Sequence, residues 1–221
     1  MRNYILLLFS ICFLSCHQYV DNTSMSQIDS LSILINKDPF NISLLNERSQ
    51  LYLEKNNIDS AKRDIDAAYS IFKNDPLILL NRGDVYYYLN KTRISVESWD
   101  RCLVIDPNNI ECRKKLTNLL CVVKDVRCES MIDTLIVLSQ GVLSPSTIVH
   151  LKELKKYNKA IDLLNTFLLH DDSNKEALSL LSIIYSDTAN SNQFFDVQVA
   201  EKYFNKIIEL YPDDFQVYYN F

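Results

Sequence analysis

The chain has 221 residues and a formal net charge of −5, and hydrophobic residues make up 48% of it. That apolar share is too high for a disordered chain, and the negative balance excludes general nucleic-acid binding, which needs a basic face against phosphates. Only two glycines occur, Gly83 and Gly141; sandwiches, barrels and glycine-rich phosphate loops need more, so the composition predicts an all-α fold.

Residues 1–16 read MRNYILLLFSICFLSC. Arg2 supplies a positive charge, and an apolar run from Tyr4 to Leu14 follows. That run suits the hydrophobic region of a signal peptide and falls short of the roughly 20 residues of a spanning helix. Phe13-Leu14-Ser15-Cys16 resembles the lipobox of bacterial lipoproteins, with Phe13 in place of the usual leucine. The resemblance implies a lipoprotein-type signal peptide over 1–15, a lipid on Cys16 and a polar tether over 16–24. It also implies anchoring in the cell envelope. His17 after the cysteine, rather than the aspartate that retains such proteins at the inner membrane, leans to the outer membrane facing the periplasm. Cys12, preceded by Ile11, reads as apolar filler.

Ser26 to Asn36 predicts a lone helix leading to Asp38-Pro39. From there the chain matches itself at a shift of 34 residues. Leu45-Asn46-Glu47-Arg48-Ser49 falls over Leu79-Leu80-Asn81-Arg82-Gly83, and Tyr52 over Tyr86. Ala61 falls over Ser95, Ile65 over Trp99 and Ala68 over Cys102. Each unit reads as two helices, the first ending near Asn56-Asn57 or Asn90-Lys91. Asp-Pro pairs at 38–39, 75–76 and 106–107 mark the joints, because proline cannot continue a helix and suits its start.

These residues resemble the tetratricopeptide repeat. Small residues (Ser49, Gly83, Ala61, Ala68) let helices approach, and large ones (Tyr52, Tyr86, Trp99) fill the space between them. The resemblance implies an α-solenoid over 25–221, with repeats at about 42–75, 76–109, 110–140, 141–174 and 175–214. FQVYYNF at 215–221 starts a partial repeat, an apolar end that suits a longer chain or a docking contact. Repeat 42–75 carries Lys73 where the family has proline. In 110–140 the pattern loosens: Leu116 and Leu120 mark a first helix, and Ser130, Thr134 and Val137 mark a second, one residue out of step. Ser144-Pro145 predicts a cap and first turn opening a short helix to Lys156. Ala160, Leu164 and Phe167, then Leu178, Ser182 and Tyr185, and Ala200, Phe204 and Ile207 restore the spacing.

Chemistry is not legible. His17, His150 and His170 lie far apart without metal-ligand spacing, and no phosphate loop, serine elbow or HExxH occurs. Asp171-Asp172 and Asp213-Asp214 sit in joints, where acids suit the next helix start. The sequence therefore predicts no catalytic, cofactor or metal site. Cys121 and Cys128 flank one predicted turn and Cys102 and Cys112 another, so an oxidising compartment permits disulfides. Cys102 equally suits a buried free thiol, and the pairing stays open.

In the family, first helices line a groove. Carried over, its lining is Asn46, Gln50, Leu53 and Glu54, then Leu80, Asp84, Tyr87 and Tyr88, then Lys114 and Asn118. Only Tyr86 of Tyr86-Tyr87-Tyr88 is needed for packing; the other two either anchor a partner or cover a neighbouring helix. The family's clamp for a C-terminal carboxylate does not carry over, since Asn46 and Gln50 stand at its lysine and asparagine positions. The expected function is a non-catalytic protein-protein scaffold, lipid-anchored at the membrane, presenting the groove to an envelope assembly or secretion partner. The alternatives are a glycan- or peptide-binding surface lipoprotein, and the N-terminal interaction part of a longer chain.

Overall fold

An asparagine or aspartate side chain opens most of the helices. Asn41, Asn57, Asp75, Asn109, Asn174 and Asp196 each accept a hydrogen bond from a backbone N–H of the following first turn. Four N–H groups at a helix start have no partner within the helix, and such caps satisfy some of them. The computed structural model describes residues 26–188 and 193–214, and these form eleven helices joined by short turns. The predicted signal peptide, Cys16, the tether, His17 and the partial repeat at 215–221 lie outside the described residues.

The lone helix α1 spans Gln27–Lys37 behind a Ser26 cap. Pairs follow: α2 (Ile42–Glu54) with α3 (Ile58–Ile71), and α4 (Pro76–Tyr88) with α5 (Thr92–Ile105). Next come α6 (Ile110–Val122) with α7 (Cys128–Leu138), α8 (Pro145–Glu153) with α9 (Tyr157–Leu168), and α10 (Lys175–Ser186) with α11 (Val197–Leu210). No described helix is long and apolar enough to cross a membrane.

The first helices of four pairs end alike. Asn56, Asn90, Lys124 and Lys155 stand just past them in the left-handed region, with φ between 56° and 61°. The N–H of the next residue then reaches back to a carbonyl in the last turn: Asn57 to Tyr52, Lys91 to Tyr86, Asp125 to Leu120 and Lys156 to Leu151. This reversal hands the chain directly to the second helix and satisfies carbonyls that the helix leaves open. Asparagine adopts this conformation readily because its short polar side chain bonds locally.

The core is a chain of four connected clusters, as expected where each repeat buries its apolar face only against its neighbours. One gathers Ile35, Leu45, Ile65 and Ile78, the next Leu79, Trp99, Leu116 and Leu120. A third runs from Cys121 and Ile132 through Leu151 and Leu164 to Leu181, and a fourth joins Leu178 to Ile207. Small residues decide how closely the helices approach. Ser49 donates to the Ala61 carbonyl at 2.8 Å, and Ser182 repeats the bond to Ala200 at 3.0 Å.

Three expectations need correction. In α7 the packing residues are Cys128, Ile132 and Leu135, whereas Ser130 and Val137 are exposed. The inward face therefore starts two residues before the predicted one, because a disulfide from Cys121 draws Cys128 against α6. Helix α8 stops at Glu153 instead of Lys156, since Lys155 has turned left-handed. The Ser144 hydroxyl meets those of Ser146 and Thr147 and makes no cap bond to the backbone.

Candidate functional site

The first helices touch in series: α2 packs on α4, α6 on α8 and α8 on α10. Asp84 of α4 and Lys115 of α6 close the remaining step with an ion pair at 3.1 Å. Between those two helices lies a pocket of about 190 Å³, lined by Asp84, Tyr87, Tyr88, Trp99, Lys115, Asn118, Leu119 and Val122.

Its aromatic wall is built from the repeat packing itself. Gly83 has no Cβ, and Trp99 of α5 fills that space; a Cβ there would come within 2.5 Å of Cδ1 and 2.6 Å of Cε2. The indole N–H is given to the Leu80 carbonyl at 3.1 Å. Tyr87 leans on Trp99 with ring centroids 6.1 Å apart, and Tyr88 stands edge-on to Tyr87 at 6.2 Å. Tyr87 is 48% exposed and Tyr88 59%, so both present ring surface at the mouth.

The floor is polar and incompletely satisfied. Asp84 spends Oδ2 on Lys115, while its Oδ1 is buried and accepts no hydrogen bond among the described residues. Asn118 likewise has a buried Oδ1 with no donor. Buried acceptors are nearly always paired, with protein donors or with ordered water, so this floor is polar and suited to a donor. Burial pushes the Asp84 carboxyl above its ordinary 3.8, Lys115 beside it and then the Trp99 indole pull it back, and Glu111 adds a small push upward.

The predicted groove residues divide into two groups. Asp84, Tyr87, Tyr88 and Asn118 line the pocket together. Asn46, Gln50 and Leu80 lie elsewhere on the helix faces: Asn46 is 4% exposed, and its Oδ1 accepts from Asn81 Nδ2 at 2.7 Å. Gln50 donates to Asn81 Oδ1 at 3.0 Å, completing a polar ladder from α2 to α4. Leu53 and Leu80 pack against the core clusters, and Glu54 is exposed. Lys114 pairs with Glu111 on its own helix at 2.8 Å, and the neighbouring Lys115 enters the pocket instead. The repeat register does not assign Asn81, Trp99 or Lys115 to the groove. Asn81 and Lys115 each lie beside a family groove position, and Trp99 reads as packing.

Among the described residues the four cysteines form two disulfides, Cys102–Cys112 and Cys121–Cys128. Helix α6, which supplies half of the pocket, is thereby tied to α5 before it and α7 after it. Among the described residues no three His, Cys, Asp or Glu side chains gather as a metal site. His150 lies 3.3 Å from Glu153 beside the Cys121–Cys128 bridge, and His170 is exposed.

No protein-family model and no curated protein matches the chain. Solved structures do match. YrrB, a tetratricopeptide-repeat protein with an unusual peptide-binding site, superposes over 87% of this chain and 97% of its own, with a TM-score of 0.65 at 13% identity. PilF of Pseudomonas aeruginosa covers 86% of this chain and 85% of its own, with a TM-score of 0.68 at 14% identity. PilW, a widely conserved type IV pilus biogenesis factor, covers 77% and 78%, with a TM-score of 0.62 at 15% identity. The chain folds as a tetratricopeptide-repeat solenoid. At these identities the likeness establishes the fold alone.

Proposed function

We propose that this solenoid is a non-catalytic scaffold that binds a peptide segment of a protein partner in the pocket between α4 and α6. The observation that carries it is the pocket itself, with the exposed rings of Tyr87 and Tyr88 standing over the polar side chains of Asp84 and Asn118. Backbone and side-chain N–H groups of a peptide supply donors to those side chains, and exposed aromatic residues dominate the energetics of protein interfaces. YrrB lends support, as a protein of this fold with a peptide-binding site.

From the N-terminal resemblance to a lipobox we further propose that the scaffold is anchored to a membrane through a lipid on Cys16, in the cell envelope, where it faces an assembly or secretion partner. PilW, of the same fold, is a pilus biogenesis factor. A photo-cross-linker at Tyr88 tests both parts in cells. Capture of one envelope protein that is lost on Tyr87→Ala, with helicity retained by circular dichroism, supports the pocket. Capture unchanged by Tyr87→Ala and by Asp84→Asn removes it. Acylation that persists in Cys16→Ala removes the anchor.

A further inference from the structure

The chain already binds its own guanidinium groups with a recurring set of parts. Arg82 lies over the rings of Tyr69 and Tyr86, with its Cζ 4.3 and 4.8 Å from their centroids. It donates to the Ser98 hydroxyl at 2.7 Å and stands 3.9 Å from the Asp66 carboxylate. Arg48 lies 5.8 Å from the Tyr52 ring centroid and donates to Asp64 and to Ser32. Each site combines an aromatic face, a carboxylate and a neutral oxygen.

The pocket between α4 and α6 has the same three parts and no arginine of its own. Tyr87 and Tyr88 supply the faces, Asp84 the carboxylate and Asn118 the neutral oxygen. Resting on the peptide-binding reading above, we propose that this pocket takes one basic side chain of the bound peptide, an arginine in preference to a lysine. A planar guanidinium carries five donors in a fork, enough to reach two separate acceptors while stacking on a ring. Its attraction to aromatic faces strengthens when the site is desolvated. The pocket volume suits one long side chain and little more. The chain's net charge of −5 favours a basic partner at longer range.

Lys115 is the competing group. Its ammonium holds Asp84 Oδ2 and is nearly half exposed, so it is bound at one oxygen and displaceable. This gives the inference a sign. Removing Lys115 strengthens binding of a basic side chain, whereas it would weaken binding of an acidic or carbonyl group.

The test uses fluorescence polarisation with pools of capped heptapeptides, randomised except for a central arginine, lysine, citrulline, norleucine or glutamate. Citrulline keeps the shape of arginine without its charge. The arginine pool should bind at least about fivefold more tightly than the citrulline pool. Asp84→Asn should bring that ratio below about twofold, and Lys115→Met should tighten the arginine pool. Equal binding of arginine and citrulline pools by the unaltered protein, or weaker arginine binding by Lys115→Met, overturns the basic-side-chain assignment and leaves the peptide groove standing. If no pool binds, the peptide groove itself fails and this inference with it.

Discussion

Arg48 grips Asp64 through both nitrogens of one guanidinium edge, Nε to Oδ2 at 2.6 Å and Nη2 to Oδ1 at 2.8 Å. The remaining Nη1 donates to Ser32 at 3.0 Å, so one side chain joins α1, α2 and α3. Asp64 is buried, and its hydrogen bonds in turn hold the Arg48 guanidinium above its ordinary pKa. Thirty-four residues on, Arg82 and Ser98 make the equivalent contact with one bond and one charge fewer. Arg48→Ala would strand a buried carboxylate and should cost about 3 kcal/mol in urea unfolding. Asp64→Ser, which reproduces the Arg82–Ser98 pair, should cost markedly less. Equal losses from the two substitutions would show that the neutral contact recovers nothing and that the carboxylate itself is required.

Gly83→Ala tests the fit of the second repeat. Its Cβ would come within 2.6 Å of three atoms of the Trp99 ring, which is 2% exposed and cannot retreat without breaking its bond to the Leu80 carbonyl. Overpacking of this kind costs about 1–3 kcal/mol. Ser49 occupies the same place in the first repeat, opposite the smaller Ile65, so Ser49→Ala loses only the hydroxyl bond to Ala61 and should cost about 1 kcal/mol. The near-ultraviolet dichroism of the single tryptophan should change in Gly83→Ala and stay the same in Ser49→Ala.

Reduction of the two disulfides should act on the third helix pair first. Cys102–Cys112 and Cys121–Cys128 close loops with separations of only 10 and 7 residues, so each stabilises by about 2–3 kcal/mol in the loop-entropy view. Both hold α6, and the polar Thr117 occupies its close-approach face, where a small residue is usual; its buried hydroxyl has no partner among the described residues. Hydrogen exchange after treatment with a phosphine should accelerate in α6 and α7 well before α2 to α4. Uniform acceleration along the chain would mean that the bridges stabilise the whole solenoid rather than this segment.

The shift of 34 was visible because Tyr52, Ala61 and Ala68 recur as Tyr86, Ser95 and Cys102, residues chosen by close packing. The first-helix ends at Asn56 and Asn90 were visible because asparagine tolerates positive φ. The same turn at Lys124 and Lys155 is hidden, since lysine gives no hint of a left-handed backbone, and the predicted α8 overruns Glu153 for that reason. The packing face of α7 was missed because the Cys121–Cys128 bridge, an open pairing in sequence, sets which side of that helix turns inward. Of the pocket, Asp84, Tyr87, Tyr88 and Asn118 followed from the repeat register. Lys115 did not, because a one-residue step on a helix swings a long side chain to a different neighbour.

Asp84 should also give the fold a measurable pH signature. Burial raises its pKa above 3.8, with Lys115 and Glu111 as the charged groups beside it. A raised carboxylate pKa means that the protonated form suits the fold. Its contribution is fully present below the unfolded value and is lost as pH rises through the folded one. Asp84→Asn lacks this titration, and the Lys115 it releases is nearly half exposed, so losing that pair costs little. Stability of the variant relative to the unaltered protein should therefore rise with pH across the window above 3.8 and then level off. Urea midpoints measured for both proteins from about pH 3 to about pH 8 give this difference directly. A difference that falls with pH would mean that Lys115 stabilises the carboxylate by more than burial costs it. Asp84 would then be a satisfied ion pair, and an incoming arginine would have nothing to gain from it.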